Sequence, residues 1–373
     1  MRSARTKVLF LLPSLIAGGA QRVLTTLLRH LDRKRFETHL ALLQSAGEYL
    51  PDVPADIVVH DLKVRRVRYA LPGLVRLIWK LRPDAVLSTL AYLNLKLMLT
   101  KPFLPRNTRV LLRESTILSA FFEKETRKPK LWSFLCRHLY NRADAIICPS
   151  SATMNDLVRH FGVAPHKLVR IYNPVDLEYL RRLAGTHNPH SGLGPHLVTA
   201  SRLSHEKAID VLLDALPQVL KSFPAVQLTI VGNGPQKDSL REQAKRLGIE
   251  GAVLFKGFQQ NPWPYMRYAD LLVLPSRYEG VPNAALEALA LGTPVIASDC
   301  PGGIRELRDL DDRVVLAPMG NANALTQAII GYCKQPQPKQ SRELPAEFSL
   351  CKIMDEYSRL FDAAGSSHEC DAS

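Results

Sequence analysis

The chain has 373 residues, of which 46% are hydrophobic, and its mean hydropathy of −0.06 is that of a soluble globular protein. This length predicts two domains, each large enough to bury its own core. The six cysteines stand far apart without a Cys-x-x-Cys pair. Their spacing argues against a zinc site and against a disulfide framework, and it predicts a cytoplasmic, reducing location.

The positive charge lies in one half of the chain. Residues 1–185 contain 31 Lys and Arg against 14 Asp and Glu, a balance of +17, whereas residues 186–373 contain 18 against 21, a balance of −3. A half with this charge is expected to face an anionic partner, either nucleic acid or a negatively charged membrane surface, unless it is an ordinary basic surface. No uncharged apolar run reaches the ~18 residues of a membrane-spanning helix, so the sequence predicts contact with a membrane surface at most.

The first predicted element is a buried strand over residues 7–12. Basic residues before it and small residues after it also fit a signal peptide, whose cleavage would remove the first strand of an α/β domain. We interpret the run as a strand because apolar residues with helical spacing follow it, up to Leu31. Gly18 and Gly19 lie between this strand and the helix. Glycines at such a point either form a tight turn or let the backbone approach a phosphate at the helix N-terminus.

Short apolar runs alternate with amphipathic stretches along the rest of the chain. This alternation predicts parallel sheets with right-handed crossovers, an α/β fold of two Rossmann-like domains. Strands are predicted at 37–43, 57–60, 84–88, 109–112, 144–148, 168–171, 196–200, 226–231, 252–256, 271–274, 294–297 and 313–316. The clearest helices are predicted at 20–31, 71–81, 131–141, 151–160, 207–221, 236–247, 283–290 and 321–333.

Polar residues follow two predicted strands of the first half. Asn94 comes after strand 84–88, and Arg113 and Glu114 come after strand 109–112. Ligands bind at the carboxyl edge of an open parallel sheet, so these three are candidates for holding a substrate or its phosphates. Plain structural roles explain them equally well.

Residues 101–142 mix basic and aromatic side chains. The mixture suits a surface that lies on anionic lipid headgroups, the alternative being aromatic rings in the core and cations in solvent. The residues concerned are Phe103, Phe121, Phe122, Trp132, Phe134, Tyr140, Arg106, Lys124, Arg127, Lys128, Lys130 and Arg137.

The domain boundary is predicted between Leu183 and His196, where the sequence loses all periodicity. The predicted domains are residues 1–185 and 186–345. Residues 346–373 are expected to form a final helix, near 350–364, followed by a disordered tail.

The most informative segment is Ser276 to Asp299. It places Glu279 on a loop after the buried strand 271–274, and Glu287 about two turns later on a helix. Pro282 fits the preference of proline for a helix start. Both carboxylates are therefore expected at the carboxyl edge of the second sheet. Asp309 and Asp311 also form an Asp-x-Asp pair, but in a charged loop away from the strand ends, so no metal site is predicted there.

This segment resembles the Glu-x7-Glu motif of the retaining glycosyltransferases of family 4, which have the GT-B fold. Further matches, in the order expected of that family, extend from about residue 8 to residue 307, and the likeness is to the bacterial cell-envelope glycan type. They include Arg202 and Lys207, where the family has Gly-Arg-Leu…Lys-Gly; here Ser201 and Ala208 replace the two glycines. The family implies a cleft between the two domains and a final helix that returns to the first domain.

The resemblance also implies the roles of the candidate residues. Arg202 and Lys207 would grip the diphosphate of a nucleotide sugar, Glu279 the transferred sugar and Glu287 the ribose. The amides of Val281 and Asn283 would face the diphosphate together with Gly18 and Gly19, and Phe258 would lie beside the base.

The resulting expectation is a retaining glycosyltransferase that needs no obligatory metal cofactor. It would move a hexose or N-acetylhexosamine from a nucleotide-diphosphate sugar, UDP above all, to a lipid-linked or cell-envelope glycan, at the inner face of the cytoplasmic membrane. Two other classes are weighed against it. A sugar-nucleotide epimerase shares the layout but lacks a matching acid–base set here, and a nucleic-acid-binding protein explains the basic half but not the two glutamates.

Overall fold

A computed structural model describes residues 5–16, 18–64, 69–192, 194–336 and 343–365. The chain divides into two compact units. The first comprises the described parts of Met1–Pro174 and Glu347–Ser373, and the second comprises those of Val175–Ala346. None of the helices within the described ranges combines the length and the apolar character needed to cross a membrane.

The first unit is built on a seven-stranded parallel sheet in the order β3-β2-β1-β4-β5-β6-β7. β1 is an inner strand of this sheet and is buried from Val8 to Leu12, so this position requires an uninterrupted apolar run. The elements are β1 (Thr6–Leu12), α1 (Gly19–His30), β2 (Phe36–Leu42), β3 (Val58–Asp61), α2 (Leu71–Leu81), β4 (Ala85–Thr89), α3 (Ala91–Thr100), β5 (Arg109–Arg113), α4 (Leu118–Glu125), α5 (Pro129–Leu139), β6 (Ala145–Cys148), α6 (Ser151–Phe161) and β7 (Leu168–Arg170).

The second unit is built on a six-stranded parallel sheet in the order β10-β9-β8-β11-β12-β13. This is the doubly wound arrangement of the Rossmann fold. Its elements are α7 (Leu177–Ala184), β8 (His196–Ala200), α8 (Ile209–Ser222), β9 (Gln227–Val231), α9 (Lys237–Arg246), β10 (Val253–Gly257), α10 (Trp263–Tyr268), β11 (Leu271–Leu274), α11 (Asn283–Ala290), β12 (Val295–Asp299), α12 (Ile304–Leu310), β13 (Val314–Pro318) and α13 (Ala322–Lys334). The prediction of two Rossmann-like domains with parallel sheets is confirmed.

The last helix, α14 (Leu350–Gly365), belongs to the first unit. It lies against β1, and the Phe361 ring contacts Phe10 and Phe36 edge to face, with centroids 5.9 and 5.8 Å apart. This burial of aromatic surface holds the end of the chain on the first sheet.

The structure places the change of unit after Pro174, eleven residues before the predicted boundary at residue 185. α7 groups with the second unit because it packs against α10. Asn261 donates a hydrogen bond to the Leu183 carbonyl at 2.7 Å, and Tyr268 donates to the Gly185 carbonyl at 3.3 Å. Asp176 caps α7 by accepting from the Tyr179 amide at 3.0 Å. The stretch without periodicity therefore lies inside the second unit.

Candidate functional site

The strand order of the second sheet reverses between β8 and β11. Strands wind outwards in both directions from this pair, so their carboxyl ends flank the crevice where doubly wound folds bind ligands. The loop after β8 carries Arg202 and Lys207, and the loop after β11 carries Glu279. The topology thus brings three of the predicted site residues to neighbouring loops.

Lys207 and Glu279 form an ion pair across these two loops. The Lys207 ammonium lies 2.6 Å from Glu279 Oε1, and the same oxygen accepts a hydrogen bond from the Ser276 hydroxyl at 2.7 Å. Both charged side chains are largely shielded from solvent. The cation expected to hold phosphate and the carboxylate expected to hold sugar are therefore already in contact.

Arg202 lies on the same loop, and its guanidinium is held by hydrogen bonds. Its guanidinium donates to Glu206 Oε1 at 2.6 Å, and the Ser204 hydroxyl donates to the same oxygen at 2.6 Å. Glu206 is buried, which by itself raises its pKa, but the hydrogen bonds from Ser204 and Arg202 outweigh this effect and leave the pKa below its ordinary value. A buried ionised carboxylate thus orients a guanidinium whose side chain is 66% exposed.

Two glycines of the next strand end support the loop of Arg202. A Cβ added at Gly232 would lie 1.8 Å from the Ser201 carbonyl oxygen, and one at Gly234 would lie 2.3 Å from that of Leu203. Between them, the Asn233 carbonyl accepts from the Leu203 amide at 2.9 Å. Only glycine permits this close packing of two backbones.

Ala208 occupies a position where glycine is the easier residue. It has φ +51° and ψ +37°, the left-handed region, and it directly precedes α8. The resembled family has glycine here, and the structure shows the backbone reason for that preference. The chain adopts the same turn with alanine, so this substitution leaves Lys207 on its loop.

Glu287 lies in the middle of α11 and is 5% exposed. Its Oε2 accepts a hydrogen bond from the Trp263 indole of α10 at 2.9 Å. Pro282 is the residue before the helix rather than part of its first turn, and its carbonyl accepts from the Ala285 amide at 3.0 Å. Val281 and Asn283 thus lie on either side of Pro282 at the helix start, where the sequence predicts them.

The turn after β12 braces the loop of Glu279. The Glu279 amide donates to the Pro301 carbonyl at 3.0 Å, and the Gly303 amide donates to the Gly280 carbonyl at 2.6 Å. Gly302 has φ +137°, and a Cβ added there would lie 1.9 Å from the Glu279 carbonyl oxygen. Glycine at this position is a steric requirement for the position of Glu279.

Phe258 follows β10 at the same edge of the sheet. The Gly232 amide donates to the Gly257 carbonyl at 2.8 Å, which ties this strand end to the glycine turn. Four strand ends of one sheet, those of β8, β9, β10 and β11, therefore carry or support the predicted donor-binding residues.

In the first unit the strand order reverses between β1 and β4. Gly18 and Gly19 follow β1 and open α1, at the corresponding edge. Gly18 is in extended backbone, and a Cβ added there would meet the flexible side chain of Gln21 at 2.5 Å. Its position at the helix start is as predicted, and a phosphate role for it stays a prediction.

Asn94, Arg113 and Glu114 are buried inside the first unit. The Asn94 amide donates to Glu114 Oε1 at 2.7 Å, and the Tyr140 hydroxyl donates to the same oxygen at 2.5 Å. Arg113 donates to the Asn173 side-chain oxygen at 2.5 Å. Burial raises the pKa of Glu114 to about 7, against the lowering effect of the hydrogen bonds from Tyr140 and Asn94. Asn94 was expected near a loop after β4, but it lies in α3, on a side of the helix that is turned into the unit.

Two protein-family models and several known proteins match this chain. The model of the group 1 glycosyl transferases matches residues 194–335, and the model of Glycosyltransferase Family 4 matches residues 17–179. A relative from Campylobacter jejuni is 30% identical over 326 residues, which are 85% of this chain and 87% of that protein. It is the N-acetylgalactosamine-N,N'-diacetylbacillosaminyl-diphospho-undecaprenol 4-alpha-N-acetylgalactosaminyltransferase of that organism.

This chain belongs to the family 4 glycosyltransferases.

Solved structures of similar shape support the fold of this glycosyltransferase. The Anabaena protein HepE in complex with UDP superposes with a TM-score of 0.74 at 22% identity, over 96% of this chain and 100% of that one. Sucrose-phosphate synthase from Thermosynechococcus elongatus superposes with a TM-score of 0.78 at 18% identity, over 97% and 100% of the two chains. At these identities the likeness establishes the fold alone, which is GT-B.

Several supporting residues of the glycosyltransferase were not predicted from the sequence. Ser276, Glu206 and Trp263 contact the predicted residues directly, and Arg277 pairs with Asp210 at 2.8 Å while donating to the His205 carbonyl at 2.5 Å. Their only signal in the sequence is position: Glu206 directly precedes Lys207, and Ser276 and Arg277 lie within three residues of Glu279.

The described residues contain no group of three or more His, Cys, Asp or Glu side chains able to hold a metal ion. The Asp-x-Asp pair serves structural contacts instead. Asp311 is buried and bound by Arg313 at 2.6 Å, and Asp309 pairs with Arg308 at 2.7 Å.

Proposed function

We propose that this glycosyltransferase moves a hexose or an N-acetylhexosamine from a UDP-sugar to a lipid-linked or cell-envelope glycan, with retention of configuration. The Campylobacter jejuni relative supports the acceptor class, because its name gives a sugar carried on diphospho-undecaprenol as acceptor and N-acetylgalactosamine as the transferred sugar. Structures of the Anabaena protein with UDP and with UDP-glucose support the donor class.

The observation that carries the proposal is the contact between Lys207 and Glu279 beside Arg202. A nucleotide-diphosphate sugar presents two phosphates next to a ring of hydroxyl groups, so its site needs cations and a carboxylate a few ångströms apart. The pair at 2.6 Å supplies both groups at the carboxyl edge of β8 and β11. In the proposal, Arg202 and Lys207 bind the diphosphate, and Glu279 accepts hydrogen bonds from the transferred sugar.

The nucleoside would occupy the neighbouring part of the same edge. Glu287 would accept hydrogen bonds from the ribose diol, with Trp263 fixing its carboxylate. Phe258 would lie beside the base, and the amides of Val281 and Asn283 would face the diphosphate. A carboxylate suits a vicinal diol because its two oxygens each accept a charge-assisted hydrogen bond.

In the first unit, we propose that Gly18 and Gly19 offer backbone amides of the α1 N-terminus to a phosphate. For Asn94, Arg113 and Glu114 we favour the structural alternative. Their side chains are at most 2% exposed and bond to Tyr140 and Asn173, which supports a role in holding the carboxyl edge of β4 and β5 rather than in touching the acceptor.

In the proposed transfer one bond forms, one bond breaks and one proton moves, and nothing is oxidised or reduced. An acceptor hydroxyl forms a bond to the anomeric carbon as the bond from that carbon to the β-phosphate oxygen breaks. The hydroxyl proton passes to the departing phosphate, and both events occur on one face of the sugar, which retains its configuration. Arg202 and Lys207 stabilise the negative charge that grows on the leaving diphosphate.

The proposed location is the inner face of the cytoplasmic membrane, where the basic first unit would contact anionic lipid. A lipid-linked acceptor would be reached there by an enzyme that binds the surface without crossing it.

The direct test is a screen of UDP- and GDP-sugars for release of free nucleotide, with and without a lipid-linked glycan. We expect UDP release from one UDP-sugar that increases when the acceptor is added. Calorimetric titration with UDP, GDP and a short DNA duplex distinguishes a glycosyltransferase from a nucleic-acid-binding protein. Binding of the duplex without binding of either nucleotide would reject the proposal, and so would turnover of a UDP-sugar into its epimer.

A further inference from the structure

Three neighbouring helices form the outer layer on one face of the first sheet. α3 packs against α2 on one side and against α5 on the other. Their inner residues enter one core with β1, β4 and β5, for example Ile78, Leu97 and Leu139. Their outer residues therefore share one surface of the first unit.

Most of the aromatic residues predicted for a membrane surface are not on that surface. Phe122 and Tyr140 are at most 1% exposed, and Phe121 and Trp132 pack partly buried against the same core. Tyr92 contacts the Trp132 ring at 4.7 Å between centroids. The prediction of a membrane-facing ring is thus wrong for Phe122 and Tyr140, which lie in the core of the first unit, while the half-buried Phe121 and Trp132 pack against that core.

A different set of apolar side chains is exposed on this layer. The Trp79 indole donates to the Phe103 carbonyl at 2.9 Å, which joins the end of α2 to the turn that follows α3. With its N–H satisfied within the protein, the Trp79 ring offers solvent an almost purely apolar surface. The exposed apolar face consists of Trp79 at 49% exposure, Leu99 at 44%, Phe103 at 68%, Leu131 at 47% and Phe134 at 57%.

Positive charge predominates in the part of the chain that carries this exposed apolar face. Residues 71–142 contain 14 Lys and Arg against four Asp and Glu, a balance of +10. The Arg82 guanidinium lies 5.9 Å from the centre of the Trp79 ring. Exposed cations flank the apolar side chains at Arg76, Lys80, Arg106, Lys128, Lys130 and Arg137.

We propose that the exposed apolar face docks on the surface of an anionic phospholipid bilayer. Its five apolar side chains enter the boundary between headgroups and acyl chains, and the surrounding Lys and Arg residues bind lipid phosphates. Five exposed large apolar side chains, two of them leucines, favour lipid over nucleic acid, since a nucleic-acid surface pairs its cations with hydrogen-bonding or stacking groups. Docking needs no sugar donor, so it stands or falls independently of the proposed transfer reaction.

Sedimentation of the full chain with vesicles tests this face. We expect binding to vesicles of phosphatidylglycerol and phosphatidylcholine that falls at high salt, and at least tenfold weaker binding to phosphatidylcholine alone. Phe103→Asp and Phe134→Asp each weaken binding to the anionic vesicles at least fivefold. Met319→Asp is the matched control, because Met319 is 44% exposed in the second unit, and it should bind as the wild type does.

Tryptophan fluorescence locates the contact without relying on those variants. Trp79 is exposed, whereas Trp132 is half-buried and Trp263 is buried, so lipids brominated near the headgroup should quench mainly Trp79. We expect quenching in the wild type and its loss in Trp79→Phe. Equal vesicle binding by wild type and the two Asp variants, or equal quenching with and without Trp79, overturns the proposal. A DNA duplex that binds more tightly than the anionic vesicles, and is weakened by the same variants, also overturns it.

Discussion

The Lys207 ammonium and the Glu279 carboxylate lie 2.6 Å apart, on loops that follow two adjacent strands of the second sheet. Each side chain neutralises the charge of the other. When a sugar nucleotide binds, the proposed roles require the lysine to turn towards phosphate and the carboxylate towards sugar hydroxyls. The two roles are separable by mutation.

Glu279→Gln should leave UDP binding as tight as in the wild type or tighter, because it removes the carboxylate that competes with phosphate for Lys207. Transfer from the UDP-sugar should fall by about 10- to 100-fold, as expected when a charge-assisted hydrogen bond to the sugar is lost. Calorimetry with UDP and steady-state kinetics measure the two quantities. A parallel loss of both would show that Glu279 does not act on the sugar. Glu250→Gln, an exposed residue of the same unit, serves as the control.

Glu206→Gln should weaken UDP binding by about 5- to 20-fold. The Glu206 carboxylate accepts a charge-assisted hydrogen bond from the Arg202 guanidinium at 2.6 Å, and a neutral amide would replace it with a weaker one. The control is a double-mutant cycle. In an Arg202→Ala background the same substitution should have almost no further effect on UDP affinity. If Glu206→Gln weakens binding equally in both backgrounds, the carboxylate acts on the fold of the loop rather than on Arg202.

Gly302→Ala should lower the thermal stability and reduce transfer, since its Cβ would lie 1.9 Å from the Glu279 carbonyl oxygen in a left-handed backbone with φ +137°. Relief of this overlap requires the loop of Glu279 to move, and strain of this kind costs on the order of 1–3 kcal/mol. Gly251→Ala is the matched control, because no atom lies within 4 Å of a Cβ at that position. Thermal melts and transfer assays of the two variants should diverge, and similar values would contradict the proposed bracing.

Glu114 should make the first unit less stable as the pH rises from about 4.5 to about 7. Its pKa is about 7 in the folded chain because of burial, against an ordinary value of 4.5, so the folded state holds a proton that the unfolded state releases across this range. The expected loss is on the order of 3 kcal/mol. Glu114→Gln has no titrating group at this position, so the wild type should lose stability relative to the variant between pH 4.5 and 7 in thermal melts. A stability difference between wild type and Glu114→Gln that stays constant across that range would contradict the raised pKa. Glu123 is exposed, so the difference between wild type and Glu123→Gln should not change with pH.

The sequence predicted the sheets well because the inner strands of both sheets are buried on both faces and appear as apolar runs, whereas the exposed edge strand β3 is marked mainly by its β-branched Val58 and Val59. The helix α3 was not among the predicted helices, because seven of its ten residues are buried and its exposed residue Leu99 is also apolar, so no one-sided polar pattern remains. The same loss of pattern hid the burial of Asn94.

The donor site was predicted in part for a related reason. Arg202, Lys207, Glu279 and Glu287 stand in motifs at strand ends, whereas Glu206, Ser276 and Trp263 gain their roles from contacts made in three dimensions. The aromatic residues after Lys101 show the opposite error. Their composition predicted a surface, but packing places Phe122 and Tyr140 in the core.

In the proposed donor complex, Lys207 binds the diphosphate of a nucleotide sugar and Glu287 binds its ribose. Calorimetric titration with UDP tests it most directly, applied to the wild type, Lys207→Ala, Glu287→Ala and the exposed control Lys245→Ala. We expect Lys207→Ala and Glu287→Ala, compared at a temperature where both are folded, to weaken UDP binding by at least tenfold, as the loss of about 1.5–3 kcal/mol per charge-assisted hydrogen bond requires, while Lys245→Ala binds as the wild type does. Wild-type affinity for UDP in folded Lys207→Ala and Glu287→Ala would contradict it.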